Sequence, residues 1–563
     1  MRSRSRRWTH RLAAVATALC GSAGAGGDGF SLGVAAGDVR DSSVILWTRA
    51  DEPGMVRVEV ALDEAFAALI AVGEQEAGAV TDQTVKFDVT GLAPATRYVY
   101  RFTRVADADQ QSRVGRFRTA ASASSAAPLR LIFSGDSNYA FAPFAAFGAA
   151  AREDADLFVW FGDVIYSDVP AGGLGAARTL GEYRARYRQL LGDPQVQELL
   201  ARMAVLVGWD DHEVANDYAG ADPALPREQR DAAYQAFFEY LPIRPQGIGA
   251  DPFRTYRRFQ FGANLEMFLV DERQYREPSA EEFCGGNPDP FGVVLGPLSR
   301  DGACIAALSK PRTMLGGEQF AWLTRALATS TAATKLVVNN VPVSYVGVLP
   351  YDRWDGYDLE RRALLRFIDD AGLGGVAFLT TDIHANAYNP DVLRFFRENR
   401  GDYRLRGATR VPELIVGPIG NATAAQTLFG IAEAVERGAS GGAQAGAGGD
   451  GVSALVDGAI DFYLAALKRT NRLAFIEPDR VSYAVIEVDA DGATRFAFRG
   501  YDPRDAARGA DAVTTFFEGA IDAPSPLAPA CGPLPCGLPL LGAAGFVPAA
   551  RWFVRRNSPR ARS

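Results

Sequence analysis

Six short apolar runs in the middle of the chain constrain its fold most, because most of them end on aspartate or asparagine. Their sequences are LRLIFSGD, LFVWFGD, VLVGWDD, LEMFLVDER, KLVVNNVPV and GVAFLTTD. Helical stretches such as 144–152 and 179–202 lie between them. Short apolar strands that alternate with helices predict an α/β domain. Their polar ends should meet at one edge of the sheet, where open α/β sheets bind ligands.

The chain has 563 residues, too many for one hydrophobic core, so more than one domain is expected. The segment before the apolar runs has a different pattern from them. Residues 29–120 contain short alternating runs separated by turn residues, which predicts an all-β domain. The stretch from Gly91 to Tyr98 resembles the tyrosine corner of fibronectin-III-like sandwiches. We therefore expect a β-sandwich domain over 26–122 and the α/β domain over 129–505.

Both ends of the chain are predicted to be targeting segments. Residues 1–25 combine arginines, an apolar run and small residues in the order of an export signal, and Ser5-Arg6-Arg7 resembles the start of a twin-arginine signal. Residues 506–563 carry an apolar run, too short to span a membrane, and a terminal arginine cluster, which resembles a bacterial sorting tail. We expect export to the periplasm, cell surface or medium through the export machinery, with the tail as a membrane anchor. A disordered basic leader and a tail without an anchoring role are the alternatives.

Cysteine usage agrees with an exported protein. Cys284 and Cys304 flank a loop rich in Gly and Pro, and we expect a disulfide between them, with two free thiols as the alternative. The formal net charge of -8 argues against a nucleic-acid-binding surface, which needs basic residues. It is compatible with a phosphate-bearing substrate, because a metal ion can supply positive charge locally.

Histidine is scarce, and its placement indicates a metal site. Of three histidines, His10 lies in the leader, whereas His212 and His384 each follow an acid at a strand end. Asp163 ends another buried strand, and Tyr166 follows three residues later. Acids, histidines and a tyrosine in such positions are what a site for hard metal ions needs. Asp163 would bridge two cations, and Tyr166 would bind one of them as phenolate, which suits ferric iron.

Together these motifs resemble the calcineurin-like metallophosphoesterases, especially purple acid phosphatases, and most closely the PhoD-like alkaline phosphatase and phosphodiesterase family. The segments that carry the resemblance are 31–38, 162–166, 209–213 with Asn216, 271–276 and 354–357. The resemblance implies an α/β metallophosphoesterase domain with sheets flanked by helices, preceded by the all-β fibronectin-III-like sandwich. It also implies a phosphoric ester hydrolase.

The resemblance further implies a role for each matching residue. One metal ion, Fe3+, would take Asp136, Asp163, Tyr166 and His384. A second ion, for which oxygen ligands favour Ca2+, would share Asp163 and take Asp211 and Asp382, with Asp210 or Asn216 nearby. His212 would assist the phosphate chemistry, and Arg273 and Asn340 would contact the substrate phosphate. Metal-activated hydroxide would attack phosphorus in line, with no serine intermediate, so Ser134 is expected to be a structural hydroxyl.

One residue departs from the family pattern. PhoD-like proteins usually have cysteine where this chain has Asp136. Carboxylate is the usual ligand there in the wider superfamily, so metal binding should persist, whereas the identity of the metal is open.

Three functions are compatible with these motifs. We expect an exported phosphomonoesterase or phosphodiesterase. A phospholipase-D-like lipid phosphodiesterase is the first alternative. The second is a non-enzymatic metal-binding surface protein with a decayed site, which would predict lost ligands, although every motif acid is present.

Overall fold

The computed structural model describes residues 29–220, 225–245, 251–280, 306–307, 309–345, 352–399, 409–427, 464–465 and 467–521. The leader 1–25, the Cys284–Cys304 pair and residues 522–563 of the tail lie outside these ranges. The expectations for those segments therefore stay predictions. Within the described ranges, no helix is both long enough and apolar enough to span a membrane.

Strands dominate the first part of the described chain, and strands and helices alternate after it. The strands are β1 Val34–Gly37, β2 Ser43–Arg49, β3 Gly54–Ala61, β4 Leu69–Ala77, β5 Thr84–Thr90, β6 Arg97–Arg104, β7 Asp107–Gln111, β8 Gly115–Arg118, β9 Leu129–Ser134, β10 Leu157–Phe161, β11 Ala204–Gly208, β12 Arg257–Phe261, β13 Leu265–Leu269, β14 Thr334–Val338, β15 Val376–Thr380, β16 Asn386–Asn389, β17 Glu413–Ile415, β18 Phe475–Glu477, β19 Val481–Val488, β20 Thr494–Tyr501 and β21 Thr514–Ile521. The α-helices are α1 Ala145–Ala150, α2 Leu180–Leu191, α3 Pro194–Arg202, α4 Arg227–Tyr240, α5 Gly316–Thr329, α6 Asp358–Asp370 and α7 Leu393–Asn399.

Local sequence explains where the helices begin. Thr179 and Glu182 form a reciprocal capping box at the start of α2. Asp193 accepts hydrogen bonds from the first turn of α3, and Pro194 occupies the first helical position, where its missing N–H costs nothing. These two helices thus start at residues that satisfy otherwise unpaired backbone donors.

The described strands form three sheets. The nine-stranded sheet has the order β21-β20-β19-β9-β10-β11-β1-β2-β5, and the seven-stranded sheet has the order β12-β13-β14-β15-β17-β16-β18. The third sheet contains β4-β3-β6-β7, with β8 paired to β6. Strands β9, β10 and β11 are parallel, as are β13, β14 and β15. Two of these three sheets are therefore mixed sheets whose central strands are parallel.

Alternate residues of the central strands face two different cores. Val159 of β10 belongs to a cluster shared with Met267 and Leu336 of the seven-stranded sheet, so the two sheets pack face to face. Trp160, its neighbour, belongs to a cluster with residues of α1 to α4. A third cluster packs α5 and α6 on the outer face of the seven-stranded sheet. The layers are helices, sheet, sheet and helices, which agrees with the expected flanked-sheet architecture.

The N-terminal all-β segment does not form a separate pair of sheets. β1, β2 and β5 extend the nine-stranded sheet, and β1 pairs in parallel with β11. In the remaining strands, the hydroxyl of Tyr98 accepts a 2.9 Å hydrogen bond from the backbone N–H of Ala93, the contact expected of a tyrosine corner. The predicted domain border near residue 122 therefore divides one continuous sheet, since strands from both sides of it belong to that sheet. The sequence does not show this, because alternation within a strand does not reveal which sheet the strand joins.

The fold also continues beyond residue 505, where the tail was expected to begin. β21 pairs antiparallel with β20 and forms an edge of the nine-stranded sheet. Residues 506–521 therefore belong to the folded domain. Their strand is half-exposed, so its apolar pattern is weaker than that of the central strands.

Candidate metal centre

The carboxyl ends of the central strands of both sheets meet at one site. The loops after β9, β10 and β11 carry Asp136, Asp163 and Asp211. The loops after β14 and β15 of the other sheet carry Asn340 and Thr381. Thr381 Oγ1 donates to the carbonyl of Phe161 over 3.1 Å, and Asn340 Nδ2 donates to the carbonyl of Trp209 over 2.8 Å, so the loops of the two sheets are in direct contact. The convergence expected from the strand ends is therefore present in the structure.

The backbone of this site is held in an unusual conformation. Asp136, Asp163, Asp382 and His384 have φ of 60°, 49°, 68° and 53°. Non-glycine residues rarely adopt this left-handed region, and such strain clusters at functional sites. Gly135 permits the close approach of the β9 and β10 loops, because a Cβ there would lie 2.4 Å from the carbonyl oxygen of Phe161.

A first group of ligand atoms comes from Asp136, Asp163 and His384, which lie within 4.8 Å of one another. His384 Nδ1 donates to the carbonyl of Ala422 over 2.6 Å. This bond leaves Nε2 facing the site, 3.0 Å from the hydroxyl oxygen of Tyr166 and 3.5 Å from Asp136 Oδ1. A histidine oriented through its other nitrogen is the usual arrangement of a metal ligand.

A second group shares Asp163 and adds Asp211 and His212, again within 4.8 Å of one another. His212 Nδ1 lies 2.7 Å from Asp168 Oδ1, so Nε2 is the nitrogen available to the site. The ring of His212 lies against the ring of Tyr166, with centroids 4.1 Å apart and planes inclined by 30°. Asp163 thus connects the two groups, as expected of a residue that bridges two cations.

Several buried oxygens in the site have no hydrogen-bond partner among the described residues. These atoms are both carboxylate oxygens of Asp136, Asp210 Oδ2, Asp211 Oδ1 and Asn340 Oδ1. A buried polar atom without a partner costs free energy, and most such atoms in native proteins are paired. Five unpaired acceptors beside two oriented histidines fit hard cations, which bind oxygen and imidazole ligands.

The shifted pKa values of the site residues also indicate that added positive charge would stabilise their ionised forms. Burial, and then the neighbouring Asp211 and Asp210, raise the pKa of Asp163 well above its ordinary value. Burial and Asp163 likewise raise the pKa of Tyr166, so the phenolate expected from the sequence requires a cation. Burial lowers the pKa of His212, but Asp211 and Asp168 outweigh it and raise that pKa to about 9.

Arg273 lies in the site, but its guanidinium is occupied by protein acids. It is fully buried, pairs with Asp210, and donates to Asp352 from Nη1 over 2.7 Å. Its Nη2 lies 3.8 Å from Asp211 and 3.7 Å from Asp382. Arg273 therefore neutralises the acid cluster here, which differs from the substrate contact predicted from the sequence.

Asn340, Asp382 and Asn216 also differ in detail from their expected roles. Asn340 turns its acceptor oxygen toward the site while Nδ2 bonds protein oxygens, so it is suited to a cation and not to a phosphate oxygen. Asp382 Oδ2 accepts from Arg353 Nε over 3.0 Å, and Asp382 joins neither ligand group. Asn216 is exposed and donates its backbone N–H to Asp168.

Buried glutamates fix the loops that carry these residues. Glu213 accepts from the backbone N–H groups of Val164 and Asp210 over 2.6 and 2.8 Å. Glu272 accepts from the N–H groups of Asn340 and Val341 over 2.7 and 2.9 Å. Both glutamates lie in the motifs 209–213 and 271–276, but these motifs do not predict that they fix the loops, because their main-chain partners are distant in sequence.

Ser134 is a structural residue, as expected. It is fully buried, and its hydroxyl lies 3.1 Å from the carbonyl of Gly417 and 3.0 Å from that of Ser482. It therefore ties the end of β9 to neighbouring segments and is not placed as a nucleophile.

Family models agree with this site and fold. The model described as PhoD-like phosphatase matches residues 131–440, more than half of the chain. The chain belongs to the PhoD-like phosphatase family. The model of the PhoD-like phosphatase N-terminal domain matches residues 14–121, so the family covers both parts of the fold.

Individual relatives point the same way. The chain is 32% identical over 394 residues to alkaline phosphatase D of Bacillus subtilis (strain 168), in a match that covers 63% of this chain and 64% of the relative, slightly less than two thirds of its length. The solved structure of PhoD matches with a TM-score of 0.64 and 23% identity over 87% of this chain and 92% of that chain. A purple acid phosphatase from yellow lupin (Lupinus luteus) seeds matches with a TM-score of 0.51 and 11% identity, over 88% and 73% of the two chains. The two matches show that this chain shares the fold of both structures.

Proposed function

We propose that this PhoD-like protein is a metal-dependent phosphoesterase that hydrolyses phosphomonoesters, phosphodiesters or both. The observation that carries the proposal is the set of buried, unpaired acceptor oxygens on Asp136, Asp210, Asp211 and Asn340 beside two oriented histidines. The relative named alkaline phosphatase D, 32% identical in sequence, supports the same activity.

The residues of the two groups divide naturally between two cations. Asp136, Asp163, Tyr166 and His384 would hold Fe3+, because they combine hard anionic oxygens with one imidazole. Asp163 and Asp211, with the unpaired oxygens of Asp210 and Asn340, would hold Ca2+, which prefers an all-oxygen set. Bound there, cations would supply a hydroxide from water and neutralise phosphoryl oxygens.

The remaining side chains would orient the reaction. Arg273 keeps Asp210 and Asp352 paired, so those carboxylates do not repel an incoming phosphate with their full charge. His212, whose Nδ1 is fixed by Asp168, would present Nε2 to the leaving oxygen of the ester. This assignment keeps His212 as the acid–base residue and gives Asn340 a role in cation binding.

Metal replacement on the full chain tests the proposal. Purified protein would be stripped with a chelator and reloaded with iron, calcium, both or zinc. Turnover of p-nitrophenyl phosphate, bis(p-nitrophenyl) phosphate and a phosphatidylcholine vesicle would then be compared with metal content. We expect hydrolysis of a soluble ester only after reloading. Hydrolysis of the lipid alone would replace this function by the phospholipase alternative, and metal binding without hydrolysis of any ester would favour the non-enzymatic one.

A further inference from the structure

Strand β4 is an unprotected edge of the third sheet. Among the described strands it pairs only with β3, so one side of its backbone has no neighbouring strand. Its nine residues, Leu69–Ala77, include no proline, lysine or arginine, which are among the residues that prevent association at the edges of natural sheets. The opposite edge strand, β7, is shorter, and four of its five residues are aspartate or glutamine. Of these two edges, β4 is therefore the one that is open to another strand.

The two halves of β4 differ in chemistry. In the first half, the apolar residues Leu69, Ile70 and Val72 are 43%, 46% and 53% exposed. The second half is polar, and Gln75 Oε1 accepts a 3.3 Å hydrogen bond from the N–H of Lys86, which ties this half to β5. The exposed apolar side chains of β4 are therefore confined to its first half.

The acids beside this apolar half already have basic partners within the chain. Glu59 of β3 lies opposite Val72 and accepts from Arg101 Nε over 2.7 Å. Glu74 accepts from Arg57 Nε over 2.9 Å. A basic peptide strand would have to displace these pairs to bind the acids, whereas an apolar strand would leave them intact. The chemistry of this edge therefore favours an apolar partner.

Two copies of this apolar half are complementary to each other. Successive side chains of a strand point to opposite faces, so Ile70 and Val72 share one face. If residues 69–73 of two copies pair antiparallel about a twofold axis at Ala71, Ile70 of each copy lies opposite Val72 of the other. These four side chains then form one apolar patch, and cross-strand apolar pairs of this kind stabilise a sheet. The pairing would also give each exposed edge a neighbouring strand.

The acidic half of the strand restricts the register of such a pair. With the axis at Ala71, Leu69 lies opposite Gly73, and Glu74 falls beyond the paired segment. An axis at Val72 would place Ile70 opposite Glu74, and an axis at Glu74 would place two carboxylates opposite each other, which destabilises a sheet. The pairing centred on residue 71 is therefore the longest antiparallel overlap that contains no acid.

We propose that β4 binds a second copy of this chain through residues 69–73, paired antiparallel with Ala71 at a twofold axis. Twofold symmetry closes the assembly, because each edge is used once and no further copy can add to it. The residues of the two ligand groups come from loops of the other two sheets, so the pairing uses none of them. The dimer is therefore independent of the proposed phosphoesterase activity.

Sedimentation velocity of the full chain over a dilution series measures the association. We expect a monomer–dimer equilibrium for wild type. Val72→Lys would place a charge opposite Ile70 of the second copy at two symmetric positions, and it should raise the dissociation constant at least about tenfold. Val80→Lys, at a residue that lies outside β4 and is 84% exposed, is the matched control and should leave the constant unchanged. Far-UV circular dichroism of both variants should match wild type, because both side chains are exposed.

Cysteine cross-linking tests the register. Opposite Cα atoms of an antiparallel pair lie about 4.5–5.5 Å apart, within the span of a disulfide. Ala71→Cys should therefore form a covalent dimer under mild oxidation, with the 71–71 link identified by peptide mass spectrometry. Leu69→Cys lies on the same face of the strand, but its two copies would be offset by four residues, about 13 Å along the strand, and should not cross-link.

Several results would overturn this dimer. Wild type that stays monomeric throughout the dilution series would exclude self-association. A dimer that Val72→Lys leaves as tight as wild type, or that Val80→Lys weakens equally, would place the interface away from β4. Cross-linking of Leu69→Cys in place of Ala71→Cys, or of neither variant, would exclude the proposed register.

Discussion

The two facing sheets supply the site with acids that are neutralised in different ways. After β9 and β11, Asp136 and Asp211 keep buried oxygens that no described residue satisfies. In the loops of the seven-stranded sheet, Asp352 is paired with Arg273 and Arg276, and Asp382 with Arg353. The loops of the nine-stranded sheet therefore keep carboxylate oxygens available to cations from solution, although Arg273 also reaches Asp210 and Asp211. The acids of the other loops are paired with arginines.

This difference indicates where metal ions should be sought. An arginine next to a carboxylate supplies the charge that a cation would otherwise supply, so Asp352 needs no metal. Asp136 has no such partner, and its nearest cationic group is the imidazole of His384 at 3.5 Å. The comparison predicts that substitutions in the loops of the nine-stranded sheet change metal binding, whereas substitutions in the loops of the seven-stranded sheet change stability.

The largest effect is expected for Asp163→Asn. Asp163 belongs to both ligand groups, so loss of its charge should weaken both cation positions and bring activity close to background. The affinity for metal should fall by at least about 10–100-fold. Elemental analysis after gel filtration should therefore find less bound metal than in wild type. Unchanged metal content would show that Asp163 is not a metal ligand.

His212→Ala should have the next largest effect on turnover. We expect a loss of roughly 10²–10⁴ in kcat, typical of an acid–base residue, while metal content remains that of wild type. Both quantities can be measured on the same preparation. Metal loss equal to that of Asp163→Asn would instead identify His212 as a ligand.

Asp352→Asn tests the loops of the seven-stranded sheet, in which arginines neutralise the acids. It would leave Arg273 and Arg276 buried without their shared carboxylate, and the free energy of unfolding should fall by about 3 kcal/mol. Denaturant unfolding measures this change, and metal bound per folded molecule should stay near the wild-type value. Retained stability with loss of metal would reverse the comparison.

The pH dependence of stability provides a check on the same residue. Burial raises the pKa of Asp352, but Arg273 and Arg276 outweigh burial and hold it below the ordinary value. Because the folded-state pKa is lowered, the stabilisation is complete above the ordinary aspartate pKa and is lost as the pH falls toward the folded-state value. The unfolding free energy of wild type should therefore decrease more steeply in acid than that of Asp352→Asn.

The smallest effect is expected for Asp136→Cys. A thiolate keeps an anionic donor at this position, so metal binding should survive better than in Asp136→Ala. If Tyr166 binds ferric iron as phenolate, the purified wild-type protein should absorb visible light, and the band should shift in the cysteine variant. Active, colourless and iron-free protein would exclude iron while leaving a two-metal hydrolase intact.

The acids at the strand ends could be predicted because that signal is local. An apolar run followed by Asp136 or Asp163 shows both the buried strand and its polar end within a few residues. The structure then brings the ends together because parallel neighbours terminate at the same edge. Motif order within the chain added His384, which lies far from Asp163 in sequence.

The roles that depend on long-range pairing could not be predicted in this way. Arg273 is chemically suited to bind phosphate, and only the fold shows that Asp210 and Asp352 already occupy it. Asp168 lies in a short loop after Tyr166, and nothing in its neighbours indicates that its partner is His212. Which acid pairs with which arginine or histidine is determined by tertiary contacts, and local sequence patterns do not contain that information.

The pairing of β1 with β11 has a consequence for how the chain matures. A strand that ends at residue 37 finds its parallel partner only after residue 205 has been made, and the edge strand β21 arrives last. Contacts between such distant segments close slowly, and open sheet edges invite association with other chains in the meantime. The sheet therefore cannot be complete before residue 521 has been made, so a nascent chain interrupted before β21 should depend on chaperones and be degraded readily.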